Sequence, residues 1–294
     1  MTRTTRARRT LAGAAALLLA LLAVGLARAR RRGSEVPLSP ITADWYVGPN
    51  FVERRGIHTG DEPAGEVDDT AHFAGESFDP TRLHPEVRRF YERTADYEMR
   101  YRATWHRPFR TGAAAASHLT SRVEQLNLPG PGEEDWHRLE SRFLDVAEPG
   151  SVTIDADPDE PAREDVRAWV RTDPETAEAV FVALYATHHR DGEGFVNISV
   201  PVPVGGVDTV LRPEHLAIDA SDDDDRTGIR LTTESAGDPG LYLRTPLGAF
   251  EAPAGQTFEV WPAEGDDDAD LRATHEMWLA GATFLTVEYE IERA

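Results

Sequence analysis

Residues 271–294 read LRATHEMWLAGATFLTVEYEIERA. Apolar and polar side chains alternate along the second half of this stretch: Leu285, Val287, Tyr289 and Ile291 are separated by Thr286, Glu288 and Glu290. Because successive side chains of a β-strand point to opposite faces, the pattern predicts a strand with one buried and one solvated face. We predict strands over Leu271–Leu279 and Thr283–Glu292, and the short connection between them favours an antiparallel pair.

Short strands and tight turns recur from Glu140 to the end of the chain. The connections carry Asp-Gly, Gly-Gly, Asp-Pro-Gly or Gly-Asp signals, which are typical of antiparallel meanders. No strand–helix–strand rhythm follows Pro129, which argues against a parallel doubly wound sheet. The other predicted strands in this region are Ser141–Ala147, Val166–Thr172, Ala179–His188, Phe195–Val202, Thr209–Leu216, Arg230–Glu234, Leu241–Arg244 and Thr257–Trp261.

Two helices are predicted ahead of these strands. Asp79-Pro80 suits a helix start and favours a helix over Pro80–Arg93. Apolar spacing from Phe109 to Leu126 predicts a second helix, and the alternation from Tyr97 to Trp105 predicts a strand between the two. We therefore expect an α+β domain with a predominantly antiparallel sheet, curled into a cup or barrel, which the two early helices plug or cross.

A charge-free stretch, Leu11–Ala27, lies near the N-terminus between clusters of arginine. Its 17 residues would reach about 25 Å as a helix, near the lower limit for crossing a bilayer. We predict an uncleaved single-pass transmembrane anchor that places the protein at the cell membrane. A twin-arginine export signal and a cleaved signal peptide are the alternatives. The apolar residues of the segment include Leu11, Leu18, Leu22 and Leu26.

The chain divides into three predicted regions: residues 1–32 form the anchor, 33–77 a tether and acidic arm, and 78–294 the β-rich soluble domain. Arg28 to Arg32 lie directly against the apolar segment, which slightly favours a cytoplasmic position for that domain.

Composition excludes several classes of function. Asp and Glu number 52 against 31 Lys and Arg, and because the chain has no lysine, all 31 are arginine. Such an acidic surface is adapted to concentrated salt, which screens its self-repulsion, so we interpret the chain as halophilic. Nucleic acid is not an expected partner, since phosphate backbones need a basic surface. The absence of cysteine excludes disulfides, thiolate nucleophiles and cysteine-bound zinc.

Catalytic signatures are also missing. The chain has no G-x-x-x-x-G-K-[ST] loop, no G-x-S-x-G elbow and no H-E-x-x-H motif, and without lysine it has no Schiff-base chemistry. We expect no cofactor and favour binding over catalysis.

Two sets of residues are candidates for chemistry. Tyr97, Tyr101 and Trp105 form an aromatic stripe on one strand face, and His275 lies on an apolar face. Core packing is the ordinary explanation for these four, and a ligand pocket is the alternative. His188 and His189, with Asp191, could supply metal ligands. A polar hairpin turn at Asp191-Gly192 is the simpler explanation, because neighbouring strand residues point to opposite faces.

The segments LHPEVRRFYERT (83–94), VEQLNLP (123–129) and WLAGATFL (278–285) resemble an uncharacterised prokaryotic family found in haloarchaea and actinobacteria. The resemblance covers roughly residues 78 to 294. That family has no established activity, so the resemblance implies homology and no particular chemistry. Three hypotheses follow: membrane-tethered binding of a small apolar ligand or lipid, a protein-interaction scaffold of the cell envelope with an unknown partner, and a metal-assisted hydrolase.

Overall fold

The computed structural model describes residues 3–113, 124–125, 127–133, 135–148, 163–218, 226–263 and 269–294. In these ranges it contains three α-helices with defined bounds, a helical turn at residues 110–113 and twelve strands. The helices are α1 (Arg3–Ser34), α2 (Phe51–Arg55) and α3 (Pro85–Glu92). The strands are β1 (Tyr97–Trp105), β2 (His137–Asp145), β3 (Glu164–Thr172), β4 (Ala179–Arg190), β5 (Glu193–Val202), β6 (Gly205–Leu216), β7 (Gly228–Thr232), β8 (Gly240–Thr245), β9 (Gly248–Glu251), β10 (Ala254–Pro262), β11 (Leu271–Leu279) and β12 (Ala282–Arg293).

Ten of these strands close into an antiparallel barrel in the order β1-β2-β3-β4-β5-β6-β7-β10-β11-β12. β12 pairs with β1 over the full length of β1, and β5 pairs with β6 to complete the ring. The hairpin β8–β9 pairs with the first half of β6 outside the ring. The predicted antiparallel, barrel-like sheet is confirmed, whereas the short strand β9 was missed because four residues carry too little alternation to be recognised.

One end of the barrel is closed by residues 65–96. Their apolar side chains join the interior core cluster; they are Val67, Phe73, Phe78, Leu83, Val87, Phe90 and Tyr91. The helix predicted over Pro80–Arg93 is here divided into a 3₁₀ turn, Pro80–Arg82, and α3. Pro85 explains the division, because the residue before a proline is disfavoured in the helical conformation. His84 accordingly has ψ 137° and caps α3 through Nδ1.

The second predicted helix is only partly described. Residues 110–113 are helical, and residues 114–123 lie outside the described ranges. The acidic runs at 222–225 and 266–268 also lie outside them.

Residues 36–57 form an outer layer against the barrel wall. Leu144, Val170, Val182 and Leu184 point outward from β2, β3 and β4 and contact Ile41, Val47, Phe51 and Val52. Val36 and Leu38 pack in the same way against Phe195, Val210 and Tyr242. Several strands are therefore buried on both faces, unlike the one-sided burial that the alternation of β12 predicted.

Helix α1 precedes this layer, and its C-terminal end rests on β9. A Cβ at Gly33 would lie 2.6 Å from the carbonyl carbon of Ala249, so only glycine permits this approach. Arg32 pairs with Glu251 at 3.5 Å. Leu18, Leu22 and Leu26 are exposed, and the side chain of Leu11 is not among those described. Within the described part of the chain, no helix combines the length and apolarity that a bilayer crossing requires.

The outer layer should contribute strongly to stability. Phe51 is fully buried, so Phe51→Ala should lower the free energy of unfolding by about 3–5 kcal/mol through lost burial and a residual cavity. Urea denaturation followed by circular dichroism would measure the loss. Trp45→Ala is the matched control, because Trp45 is 81% exposed on the same segment and its truncation should cost under about 0.5 kcal/mol. Equal losses in the two variants would contradict the packing described.

Candidate functional site

The barrel interior holds a cluster of polar and aromatic side chains around Arg171. On β3, Trp169 and Arg171 point inward, and Arg171 lies opposite Phe181 of β4 in the strand register. The Arg171 guanidinium carbon lies 3.8 Å from the ring centre of Trp169 and 4.6 Å from that of Phe181. Both ring faces stabilise the buried cation through cation–π attraction.

Tyrosine hydroxyls surround the same guanidinium. Arg171 Nη2 donates to the Tyr185 hydroxyl at 2.5 Å. The positive charge of Arg171 also favours ionisation of the Tyr289 hydroxyl. Burial raises the pKa of Tyr185 and of Tyr289, although Arg171 opposes the rise. Both hydroxyls therefore keep their protons at neutral pH and remain hydrogen-bond donors.

A buried glutamate enters the cluster from the segment that closes the barrel end. Glu66 is 5% exposed, and burial raises its pKa to about 8 against the opposing charges of Arg171 and Arg167. Its backbone is held in place on both sides. Gly65 accepts a hydrogen bond from Arg167, and Val67 donates one to Tyr91. A Cβ at Gly65 would lie 2.4 Å from the Tyr91 carbonyl oxygen, so glycine is required there.

Several buried polar atoms of the interior have no hydrogen-bond partner among the described residues. They are Glu66 Oε1, Tyr91 OH, His137 Nε2, Trp169 Nε1 and Arg171 Nε. Buried hydrogen-bond donors and acceptors are nearly always paired. A group of buried polar atoms that lack partners among the described residues therefore marks a site that suits a bound water or polar ligand group.

Interior side chains toward the end opposite α3 remain partly accessible. They are Trp105, His137, Phe181, Phe258, His275 and Met277. Those nearer α3, such as Val260, Leu271 and Ile291, are completely buried. The interior side chains are thus fully buried near α3 and more accessible toward the opposite end.

The four predicted ligand-binding residues all line this interior, at different depths. Tyr97 lies near α3, where its hydroxyl donates to Glu86 at 3.1 Å. Trp105 lies near the opposite end and donates to the Pro129 carbonyl at 2.9 Å. Of the four, only Tyr101 and His275 face the cluster around Arg171. The ring centre of Tyr101 lies 6.4 Å from that of Tyr289.

His275 is a neutral polar group of the interior wall. Its Nε2 lies 2.9 Å from Gln256 Oε1, which places the proton on Nε2 and leaves Nδ1 as an acceptor. Burial, with the nearby charge of Arg171, lowers the pKa of His275 to about 3. An imidazole of such low basicity is unsuited to general-base catalysis at neutral pH, and it suits a hydrogen-bonding role.

The structure does not bring the three predicted metal ligands together. His188 is buried, with Nδ1 2.6 Å from Asn197 Oδ1 and Nε2 3.0 Å from Asp238 Oδ2. His189 and Asp191 are exposed, and His189 lies on the opposite face of β4 from His188. No group of three or more His, Asp or Glu in the described residues is arranged to hold a metal ion.

The surroundings of His188 have a structural role instead. Asn197 donates to the Pro37 carbonyl at 3.0 Å, and Arg190 donates to the Glu35 carbonyl at 2.8 Å. Burial opposes the charged form of Asp238, yet the hydrogen bond with His188 and the charge of Arg190 lower its pKa. This cluster fastens the segment that follows α1 to the barrel wall.

Sequence reasoning missed Glu66, Arg171 and Tyr185. The alternating arginines and apolar residues of β3 gave a partial signal, because Arg167, Trp169 and Arg171 share one face with period two. Charged residues normally mark the solvated face, so nothing local showed that this face points into a barrel.

Comparisons with known proteins give one informative result. The chain is 33% identical over 249 residues to "Uncharacterized membrane protein YndJ" of Bacillus subtilis (strain 168). The match includes 83% of this chain but only 41% of the Bacillus protein, so the chain spans less than half of that relative. No family model and no solved structure matches the chain. A resemblance to proteins without an established activity is supported, whereas the narrower placement in a haloarchaeal and actinobacterial family is not.

The raised pKa of Glu66 predicts a specific pH dependence of stability. A carboxyl whose folded pKa lies above its unfolded value stabilises the fold fully below about pH 4.5, and that contribution is lost as pH rises toward 8. Glu66→Gln stays neutral, so the wild type should lose roughly 4–5 kcal/mol relative to this variant between pH 4 and 9. Urea midpoints at each pH would measure the difference, and parallel curves for the two proteins would refute it.

Proposed function

We propose that this chain is a membrane-tethered, non-catalytic domain whose closed barrel binds a small apolar ligand or lipid. The observation that carries the proposal is the uneven interior: buried polar atoms that have no partner in the described ranges lie beside side chains that stay partly accessible. Eight strands make a barrel just wide enough to be filled by side chains or to hold one small ligand, and ten make a wider one. Such an interior offers an apolar wall with a few polar anchors, as ligand sites usually do.

The membrane tether is supported by three features. α1 carries exposed leucines from Leu17 to Leu26, and arginines flank the apolar segment on both sides. The Bacillus relative is described as a membrane protein. The tether would hold the barrel close to the bilayer, because only a short segment separates the apolar part of α1 from Arg32 and Gly33, which contact β9.

A second candidate is the envelope scaffold, supported by exposed apolar side chains on the outer surface. Leu243 and Leu247 belong to the β8–β9 hairpin, and Val204 lies in the adjacent β5–β6 turn. Contiguous exposed apolar residues are typical of protein contacts.

Filling the barrel should displace the ligand. Met277 lies on the inner wall of β11, and Met277→Trp should reduce the amount of compound that co-purifies with the full chain by about tenfold. Solvent extracts of the purified protein, analysed by mass spectrometry, would quantify it. Glu276→Trp is the control, because the neighbouring side chain points outward and is exposed, so this variant should retain the wild-type amount. Equal amounts in both variants, or none in the wild type, would count against binding and favour the scaffold.

The side of the membrane can be determined with a single cysteine, because the chain has none of its own. Leu247 is 78% exposed, so Leu247→Cys should be readily labelled by a maleimide. We propose a cytoplasmic barrel, which predicts labelling by a membrane-impermeant maleimide only after lysis. Labelling of intact cells would place the barrel outside.

A further inference from the structure

Arg171 is a buried cation with no carboxylate partner among the residues that the structure describes. It is 8% exposed, and no Asp or Glu of the described residues lies within ion-pairing distance of its guanidinium. Other buried arginines differ: Arg163 pairs with Glu148 at 3.0 Å and Arg244 with Asp208 at 3.3 Å. Arg171 is held by a hydroxyl and two aromatic faces, and its Nε has no partner among the described residues.

Burying an unpaired charge is unfavourable, and cation–π contacts offset only part of that loss. Glu66 lies close enough to feel the charge of Arg171. Because its pKa is about 8, the Glu66 carboxyl is largely neutral at pH 7 and supplies no countercharge to Arg171. The cluster therefore carries net positive charge inside an otherwise acidic protein, whose net charge is −21.

Neutral donors stand around this cation. The Tyr91 hydroxyl and Trp169 Nε1 are buried and have no partner in the described part of the chain. The Tyr185 and Tyr289 hydroxyls stay protonated because burial raises the pKa of each. One arginine with several N–H and O–H donors suits the oxygens of an anion, and a planar guanidinium matches the paired oxygens of a carboxylate. The same arrangement repels a cationic ligand.

Apolar side chains continue from this cluster toward the more accessible end of the barrel. Phe181, Phe258 and Met277 are partly accessible there, and they border the central cluster on β4, β10 and β11. Phe258 stands 5.5 Å from His275 and 5.9 Å from Tyr289, measured between ring centres. The wall thus changes from polar to apolar along the barrel.

Building on the binding function proposed above, we infer that Arg171 binds the carboxylate head of a small amphipathic ligand whose apolar tail lies along Phe181, Phe258 and Met277. The ion pair with the ligand would supply the countercharge that the described residues do not provide.

Three eight-carbon probes that differ only in the head group test this inference. Octanoate, octan-1-ol and octylammonium would be titrated at pH 7 into the full chain held in nanodiscs, with empty nanodiscs as the blank, by isothermal titration calorimetry. Octanoate should bind about tenfold or more tightly than octan-1-ol, because an ion pair with two carboxylate oxygens replaces a single hydrogen bond from Arg171 to an uncharged hydroxyl. Octylammonium should not bind.

Variants separate the head-group contact from general effects. Arg171→Met should bring octanoate to the weak affinity of octan-1-ol, whereas Arg230→Met should change nothing, since Arg230 faces outward and pairs with Glu259 at 2.6 Å. Tyr185→Phe removes only one hydroxyl and should weaken octanoate by roughly threefold to tenfold, which keeps the test decisive if Arg171→Met fails to fold.

A pH series gives a readout that a structural role alone would not change. Glu66 faces Arg171, Arg167, Tyr91 and Tyr185, and above about pH 8 it becomes anionic beside the bound carboxylate. Octanoate affinity should therefore fall above pH 8 in the wild type, while Glu66→Gln should keep it constant. Octan-1-ol affinity should not change in either protein.

The outcomes distinguish the inference from the function on which it rests. Equal affinity for octanoate and octan-1-ol, both lost in Met277→Trp, would overturn the carboxylate site and leave ligand binding intact. Absence of octanoate binding in the wild type would also overturn the site, and the co-purified compound would then test binding independently.

Discussion

The whole structure depends on the pairing of β6 with its neighbours. β6 contacts β5 through residues 205–211 and β7 through residues 212–216, so one strand joins the two halves of the sheet. It also carries β8 on residues 206–210, where Gly205 and Gly206 allow close approach of Arg244. Closure satisfies backbone hydrogen bonds that an open sheet would expose at its edges, and it creates an interior that side chains alone need not fill.

Closure also explains why charged residues occur inside. On β3 a single face carries Arg167, Trp169 and Arg171, and once the sheet closes this face is surrounded by protein on all sides. Arg167 reaches the barrel end, where it pairs with Asp68 at 2.7 Å. Arg171 lies deeper and depends on aromatic faces and tyrosine hydroxyls. The two arginines are therefore in different electrostatic environments although they are separated by one residue on the same face.

The outer layer and the C-terminal end of α1 lie on the outside of the barrel, where the proposed membrane tether would begin. Residues 36–57 cover strands whose outward faces are also apolar, and the cluster of His188, Asn197 and Asp238 fixes the beginning of that layer. α1 then leaves the barrel at β9 with its leucines exposed. A rigid junction between helix and barrel would hold the interior at a fixed position relative to the bilayer, which suits the binding of an amphipathic compound.

The sequence by itself determined eleven of the twelve described strands and their antiparallel arrangement, because a period of two and tight turn residues are local signals that survive in any context. It indicated that Tyr101 and His275 belong to an apolar face. It did not reveal Glu66, Arg171 or Tyr185 as a cluster, since these residues are far apart in the chain and only closure brings them together. The tertiary structure alone decided which face of β3 points inward and how α3 closes one end, because both depend on ring closure, a non-local property that no stretch of sequence encodes.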